Sequence, residues 1–181
     1  MIDNDITEIV PHLFLSNWFT SNNPYVLNKN NIKAVVTLET MNKPDNILLY
    51  QKMNGIQSLY ITLPDSPLAN IYQYFDMTYD FINDKISKGE NVLVHCYAGV
   101  SRSSTIVLNY ILRTFYKNEK PKANPQEVLY SVLEFVQRKR PIVNPNQGFL
   151  NQLLQKTIQY NKEHEKPEYF CIRKIYSSSY F

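Results

Sequence analysis

The sequence predicts an α/β fold: a central mixed β-sheet of about four to five strands, flanked by helices. Three observations carry this. Short β-branched runs recur along the chain, segments of helical period alternate with them, and the composition supports one core. The chain has 181 residues, 44% hydrophobic and 19% charged, which suits a single compact domain and argues against global disorder.

The elements follow in order. Ile6 to about Leu15 reads as a β segment broken by Pro11. The run Ile32-Lys33-Ala34-Val35-Val36-Thr37-Leu38 reads as a buried strand, and Gln57-Ser58-Leu59-Tyr60-Ile61 as another. The latter runs into a proline-bounded loop, Leu63-Pro64-Asp65-Ser66-Pro67. Ile71, Phe75, Thr78, Ile82 and Ile86 are spaced by three and four, so they line one face of a helix that Gly89 ends. Asn91 to His95 is a short apolar strand. From Ser103 to about Tyr116 the helical pattern returns, with Ile106, Val107, Tyr110 and Ile111 inward. Asn124-Pro125 has the form of an N-cap followed by proline at N1, opening a helix with Val128, Val132, Phe135 and Val136 on one face. Asn146 caps a last helix bearing Phe149, Leu150, Leu153, Leu154 and Ile158.

No internal repeat or low-complexity linker divides the chain. The helical pattern fades near Asn161, so residues 1–161 read as the domain and 162–181 as a C-terminal aromatic tail. The tail carries Tyr169, Phe170, Tyr176, Tyr180 and Phe181, and two readings stand side by side: partial disorder, or docking on the domain or on a second subunit. Whether the chain forms a homodimer, through this tail or the N-terminal segment, stays open. The net charge of +3 helps attract anions but is weak as a nucleic-acid signal, and no nucleic-acid partner is expected. The densest basic clusters, Arg138-Lys139-Arg140 and Arg173-Lys174, read as solvated surface. Two cysteines, Cys96 and Cys171, do not make a disulfide framework or a metal cluster, so a cytoplasmic, reduced setting without a bound metal is expected. The acidic start lacks a signal-type apolar stretch, and no run approaches the roughly 18 apolar residues of a membrane span.

The informative stretch is His95-Cys96-Tyr97-Ala98-Gly99-Val100-Ser101-Arg102-Ser103, between a strand and a helix. A loop that winds into a helix N-terminus points several backbone N–H groups at one spot, and the helix dipole adds positive charge there. A cysteine at the start of such a loop is set up to react as its thiolate. An arginine six residues later can turn back over the same cup, where its planar fork holds two phosphate oxygens. Gly99 permits a backbone conformation closed to most residues, and the Ser103 hydroxyl can hydrogen-bond the sulfur. His95 is expected to orient or tune Cys96. Cys followed by Arg at this spacing is common by itself. The preceding His, the Gly and the following Ser, in a strand–loop–helix setting, make it specific.

This segment resembles the signature loop of the protein tyrosine phosphatase superfamily, and its Ser101-Arg102-Ser103 ending resembles the dual-specificity branch. Ile9-Val10-Pro11-His12-Leu13-Phe14-Leu15-Ser16 resembles that family's first strands, and Asn144 to Leu153 its closing helix. The likeness covers roughly Thr7 to Tyr160 and suits the small, catalytic-domain-only members, some of them viral. It implies a protein tyrosine phosphatase-like fold and hydrolysis of phosphotyrosine and phosphoserine/phosphothreonine in protein substrates, with no cofactor. It also implies roles. Cys96 is the nucleophile, and Arg102 clamps phosphate together with the loop amides of Tyr97, Ala98, Gly99, Val100 and Ser101. Ser103 eases the sulfur's departure. The family's general acid, on a separate upstream loop, matches Asp65; Asp76, Asp80 and Asp84 are weaker candidates. Two rivals remain at this point. RNA 5′-phosphates or phosphoinositides are alternative substrates, although lipid-directed relatives usually carry lysines in the loop and this one has none. A non-catalytic phosphate-binding module is the other, although Cys, Arg and acid are all present.

Overall fold

The computed structural model describes residues 5–119 and 123–165, the last two by backbone alone. Five strands form one sheet in the order β1-β2-β5-β3-β4: β1 (Ile6–Val10), β2 (Leu13–Ser16), β3 (Ile32–Glu39), β4 (Gln57–Thr62) and β5 (Asn91–His95). β1 and β2 form an antiparallel hairpin, and every other pairing is parallel, so the sheet is mixed as expected. The hairpin turns at Pro11-His12, where His12 takes a positive φ of 68°. Its ring Nδ1 lies 2.7 Å from Asn91 Oδ1, which ties the turn to the start of β5.

β5 lies at the centre with both faces covered. Val92 and Val94 point into the larger core, and Leu93 points into a smaller one with Leu27, Ile32, Val35 and Ile56. A strand covered on both sides reads as a continuous apolar run, which is how β3 and β5 read in the sequence. The larger core lies under α4 (Phe75–Ile86), α5 (Arg102–Asn118), α6 (Pro125–Lys139) and α7 (Gln147–Glu165). Ile71, Phe75, Thr78 and Ile82 are all fully buried, so the predicted face of α4 holds. A short 3₁₀ turn, Tyr72–Tyr74, precedes it. Asn124 caps α6 by accepting the Gln126 N–H at 2.9 Å, and Asn146 caps α7 through the Phe149 N–H at 3.0 Å.

Several elements differ from expectation. α1 (Trp18–Ser21), α2 (Pro24–Lys29) and α3 (Asp45–Met53) cover the small-core side and its flank, yet none has a regular apolar stripe. In α3 only Ile47 and Gln51 are buried, while Leu48, Leu49 and Met53 are exposed. The inward face of α6 is Val128, Leu129, Leu133 and Val136, with Phe135 39% exposed. The helix packs on both α5 and α7, and Val132 of the expected face is partly buried against the larger core. Ile158 of α7 is likewise half exposed. α7 continues through Glu165, past the point where its apolar period fades. The tail's aromatics and Cys171 lie outside the described residues. No described helix is long and apolar enough to cross a membrane.

Candidate active site

The carboxyl end of the central strand β5 delivers His95 and Cys96, both buried, to the mouth of α5. Ligands of open α/β sheets bind at the carboxyl ends of strands, and the loop 96–101 forms a cup there. Its carbonyls are turned outward by specific partners. The Tyr97 C=O accepts the Trp18 N–H at 3.0 Å, the Val100 C=O accepts the Asn144 N–H at 3.0 Å, and the Ser101 C=O accepts the Thr105 N–H at 3.0 Å. The Gly99 C=O accepts from Arg140 Nε at 3.2 Å. In a planar trans peptide the following N–H points the opposite way, so the amides of Ala98, Val100, Ser101 and Arg102 face into the cup. Gly99 sits at the apex with φ of 68°, and a Cβ there would lie 2.6 Å from the Ser16 carbonyl oxygen. Only glycine meets both demands.

Cys96 Sγ receives two donors, the Ser103 hydroxyl at 3.1 Å and the Gly99 N–H at 3.3 Å. Both donate toward sulfur, an arrangement that serves a sulfur anion. Arg102, also buried, is gripped on its outer edge. Its Nη1 donates to Glu39 Oε1 at 3.0 Å and to the Leu63 C=O at 3.1 Å, and Nη2 to Glu39 Oε2 at 3.4 Å. Nε is buried without a hydrogen bond, which leaves it for an oxyanion. A buried charge pair costs desolvation, and here it fixes the guanidinium plane rather than adding stability.

Asp65 approaches from the loop after β4. Its Oδ1 accepts from the Ser101 hydroxyl at 2.8 Å and from Asn146 Nδ2 at 2.9 Å, while Oδ2 lies 3.8 Å from Arg102 Nε. One carboxylate oxygen is thus occupied, and the other faces the arginine. The same loop rests on the start of α7, where a Cβ on Gly148 would fall 1.9 Å from the Pro67 carbonyl oxygen.

His95 is fully buried, and its Nε2 lies 2.8 Å from Thr37 Oγ1. Nδ1 has no hydrogen bond of normal geometry. Burial pushes the imidazole down to about 3, with the nearby Lys43 charge and the Arg102 guanidinium adding to this and a looser backbone contact with Cys96 opposing it. His95 is therefore neutral at working pH and shapes the floor of the loop without carrying protons. Lys43, itself buried with an unpartnered Nζ, is pushed down to about 8 by the same burial.

The structure brings Cys96, the amides of Ala98, Val100 and Ser101, Arg102, Ser103 and Asp65 to one place. The Tyr97 side chain, as distinct from its amide, lies apart from this group. It is half exposed and meets Phe19 edge-on at 6.0 Å, on the rim rather than in the cup. Asp76, Asp80 and Asp84 are committed elsewhere: the first two to Arg113, with Asp76 also to Lys156, and the third to Lys85 and Lys88. Sequence reasoning missed four supporting residues. Glu39 ends a strand, Asn146 reads only as a cap, and the Ser101 side chain gave no sign of holding the acid. Arg140 was assigned to solvent with its neighbours, and it is 3% exposed. Arg138 and Lys139 are exposed as expected, Arg138 paired with Glu134 on the surface, so Arg140 alone departs from that reading.

Comparison with known proteins identifies the family of this fold. A family model described as "Dual specificity phosphatase, catalytic domain" matches residues 13–159. Mouse dual specificity protein phosphatase 15 is 33% identical over 150 residues, 83% of this chain and 57% of that protein. The chain thus spans a little over half of that relative's length. Protein 123R of Invertebrate iridescent virus 6 is 36% identical over 110 residues, 61% of this chain and 70% of that protein. The crystal structure of DUSP15 superposes with a TM-score of 0.72 at 28% identity, covering 90% of this chain and 96% of that one.

Proposed function

Since the chain belongs to the dual specificity phosphatase catalytic-domain family, we propose that it is a protein phosphatase acting on phosphotyrosine and phosphoserine/phosphothreonine through a phospho-cysteine intermediate. Residues 1–161 form the catalytic unit on this reading, with 162–181 an appendage, and the setting is the reducing cytoplasm. The observation that carries it is the convergence of one sulfur with two donors, one guanidinium with an open Nε, and one carboxyl hydrogen-bonded to the same loop.

Catalysis follows from positioning and electrostatics, as phosphoryl transfer requires. Cys96 Sγ attacks phosphorus in line with the leaving oxygen. Arg102 Nε and the inward amides hold the equatorial oxygens, with Glu39 and the Leu63 carbonyl keeping the guanidinium in plane. As the P–O ester bond breaks, Asp65 gives a proton to the departing oxygen. That proton sits on Oδ2, because Oδ1 already accepts two hydrogen bonds. In the second step Asp65 takes a proton from water, the water oxygen attacks phosphorus, and the P–S bond breaks. The Ser103 hydroxyl, 3.1 Å from the sulfur, stabilises the thiolate as it leaves.

The test is hydrolysis of a simple aryl phosphate, then of matched phosphotyrosine and phosphothreonine peptides beside phosphoinositides and triphosphate-ended RNA. Cys96→Ser should abolish turnover and still bind phosphate esters. Retained turnover would remove Cys96 from the mechanism, and preference for lipid or RNA would replace the substrate class.

A further inference from the structure

The cup depends on its carbonyls pointing outward, and three of them are held by the backbone. Gly99 differs. Its carbonyl is held by a side chain, Arg140 Nε at 3.2 Å. It also precedes the peptide unit most able to turn over, since no Cβ opposes the rotation and φ is already 68°. If that unit turned, the Val100 N–H would leave the cup and a carbonyl dipole would enter it.

Arg140 is in turn aimed from the other end of the chain. It follows α6, its side chain is buried, and its Nη1 and Nη2 meet the two carboxylate oxygens of Asp5 at 2.5 and 2.8 Å. Asp5 lies just before β1 and is itself held, its Oδ2 accepting from Asn17 Nδ2 at 2.6 Å. Thr7 Oγ1 adds a longer contact to Nη1 at 3.4 Å. A planar fork can bind a carboxylate bidentately and still offer Nε to a third acceptor, which lysine cannot do.

We infer that Asp5 and Arg140 form a latch that sets the Gly99–Val100 peptide, making Asp5, just ahead of β1, a working part of the oxyanion site. Asp5 is a positioning residue: it touches no substrate and acts through Arg140 on one amide of the cup. Without its carboxylate, Arg140 is a buried cation free to turn from Gly99, and the cup loses one donor to a charged ligand. The inference rests on the phosphatase reading of this loop.

The experiment uses the full chain and four proteins: wild type, Asp5→Asn, Asp5→Glu and Asp76→Asn. The last is a control, because it removes a carboxylate whose partners, Arg113 and buried Lys156, lie outside the loop. Orthovanadate inhibition, aryl phosphate kinetics and Tm are read for each. Asp5→Asn should weaken vanadate and lower kcat/KM by about 10-fold, the range of one hydrogen bond to a charged group. Asp5→Glu should recover most of both. Asp76→Asn should leave both within about two-fold at a comparable loss of Tm. The latch is overturned if Asp5→Asn binds vanadate as wild type does, if it weakens no more than Asp76→Asn at matched Tm, or if Asp5→Glu is equally impaired. A wild type that neither hydrolyses the ester nor binds vanadate would instead sink the phosphatase reading and the latch with it.

Discussion

Replacing His95 by asparagine should change how stability depends on pH more than it changes stability at neutral pH. The folded imidazole is held down at about 3 by burial and by nearby Lys43 and Arg102, whereas in the unfolded chain it titrates near 6.5. A depressed histidine is one the unfolded state protonates first. Its contribution is complete above the unfolded value and is lost as pH falls from about 6.5 toward 3. Between these limits the loss approaches 1.4 kcal/mol per pH unit, about 2.5 kcal/mol from pH 7 to 4.5 for this one group. Other groups titrate over the same range, but they do so in both proteins and cancel in the difference. Urea unfolding of wild type and His95→Asn at the two pH values isolates the effect, with unchanged m-values as the check on two-state behaviour. The variant loses the contacts with Thr37 and the Trp18 ring, so it starts less stable at pH 7. The gap should then close by about 2.5 kcal/mol at pH 4.5. Parallel losses in the two proteins would refute the argument, and would mean that His95 carries its proton inside the fold.

Three further outcomes are expected. Asp65→Asn should lower kcat by about 10²–10⁴ while the protein stays folded, since the amide oxygen still accepts from Ser101 and Asn146; an unchanged kcat in steady-state assays would move the acid elsewhere. Gly148→Ala drives a methyl group into the Pro67 carbonyl and must shift the acid loop, so kcat should fall by up to about 100-fold with vanadate affinity preserved; equal loss of both would show that the cup itself was disturbed. Ser103→Ala removes a donor to the sulfur and should slow breakdown of the phospho-enzyme by about 10-fold, visible as a pre-steady-state burst of the released alcohol. A rate loss without a burst would place Ser103 in the first step instead.

The grouping of Cys96, Gly99, Arg102 and Ser103 as a candidate site was legible in the sequence because the chemistry of an oxyanion loop is local. They lie between Cys96 and Ser103, and a strand before and a helix after suffice to fold them into a cup. The strands β3 and β5 and the helix α4 were legible for a similar reason, since a run covered on both faces and a stripe on one face each leave a period in the residues. α1, α2 and α3 left none, because they rest on the sheet through one or two side chains each and leave others, such as Leu49 and Met53, in solvent. Asp65 was singled out as a candidate through its place between strand and helix, but the two hydrogen bonds that hold it left no sign in the sequence.

What the linear chain determined by itself was the family it belongs to and which residues stand as candidates to hold a phosphate. Tertiary structure alone decided how those residues are aimed. Glu39 on Arg102, Asn146 on Asp65, Thr37 beside His95, and Asp5 with Arg140 on Gly99 are contacts between elements far apart in sequence. Each works by filling a hydrogen-bond position on its neighbour, and a single charged or polar residue performs that task without any periodic or spacing signal. A buried arginine and a solvated one read alike along the chain, and only the packing of α6 against β1 and the loop separates Arg140 from Arg138.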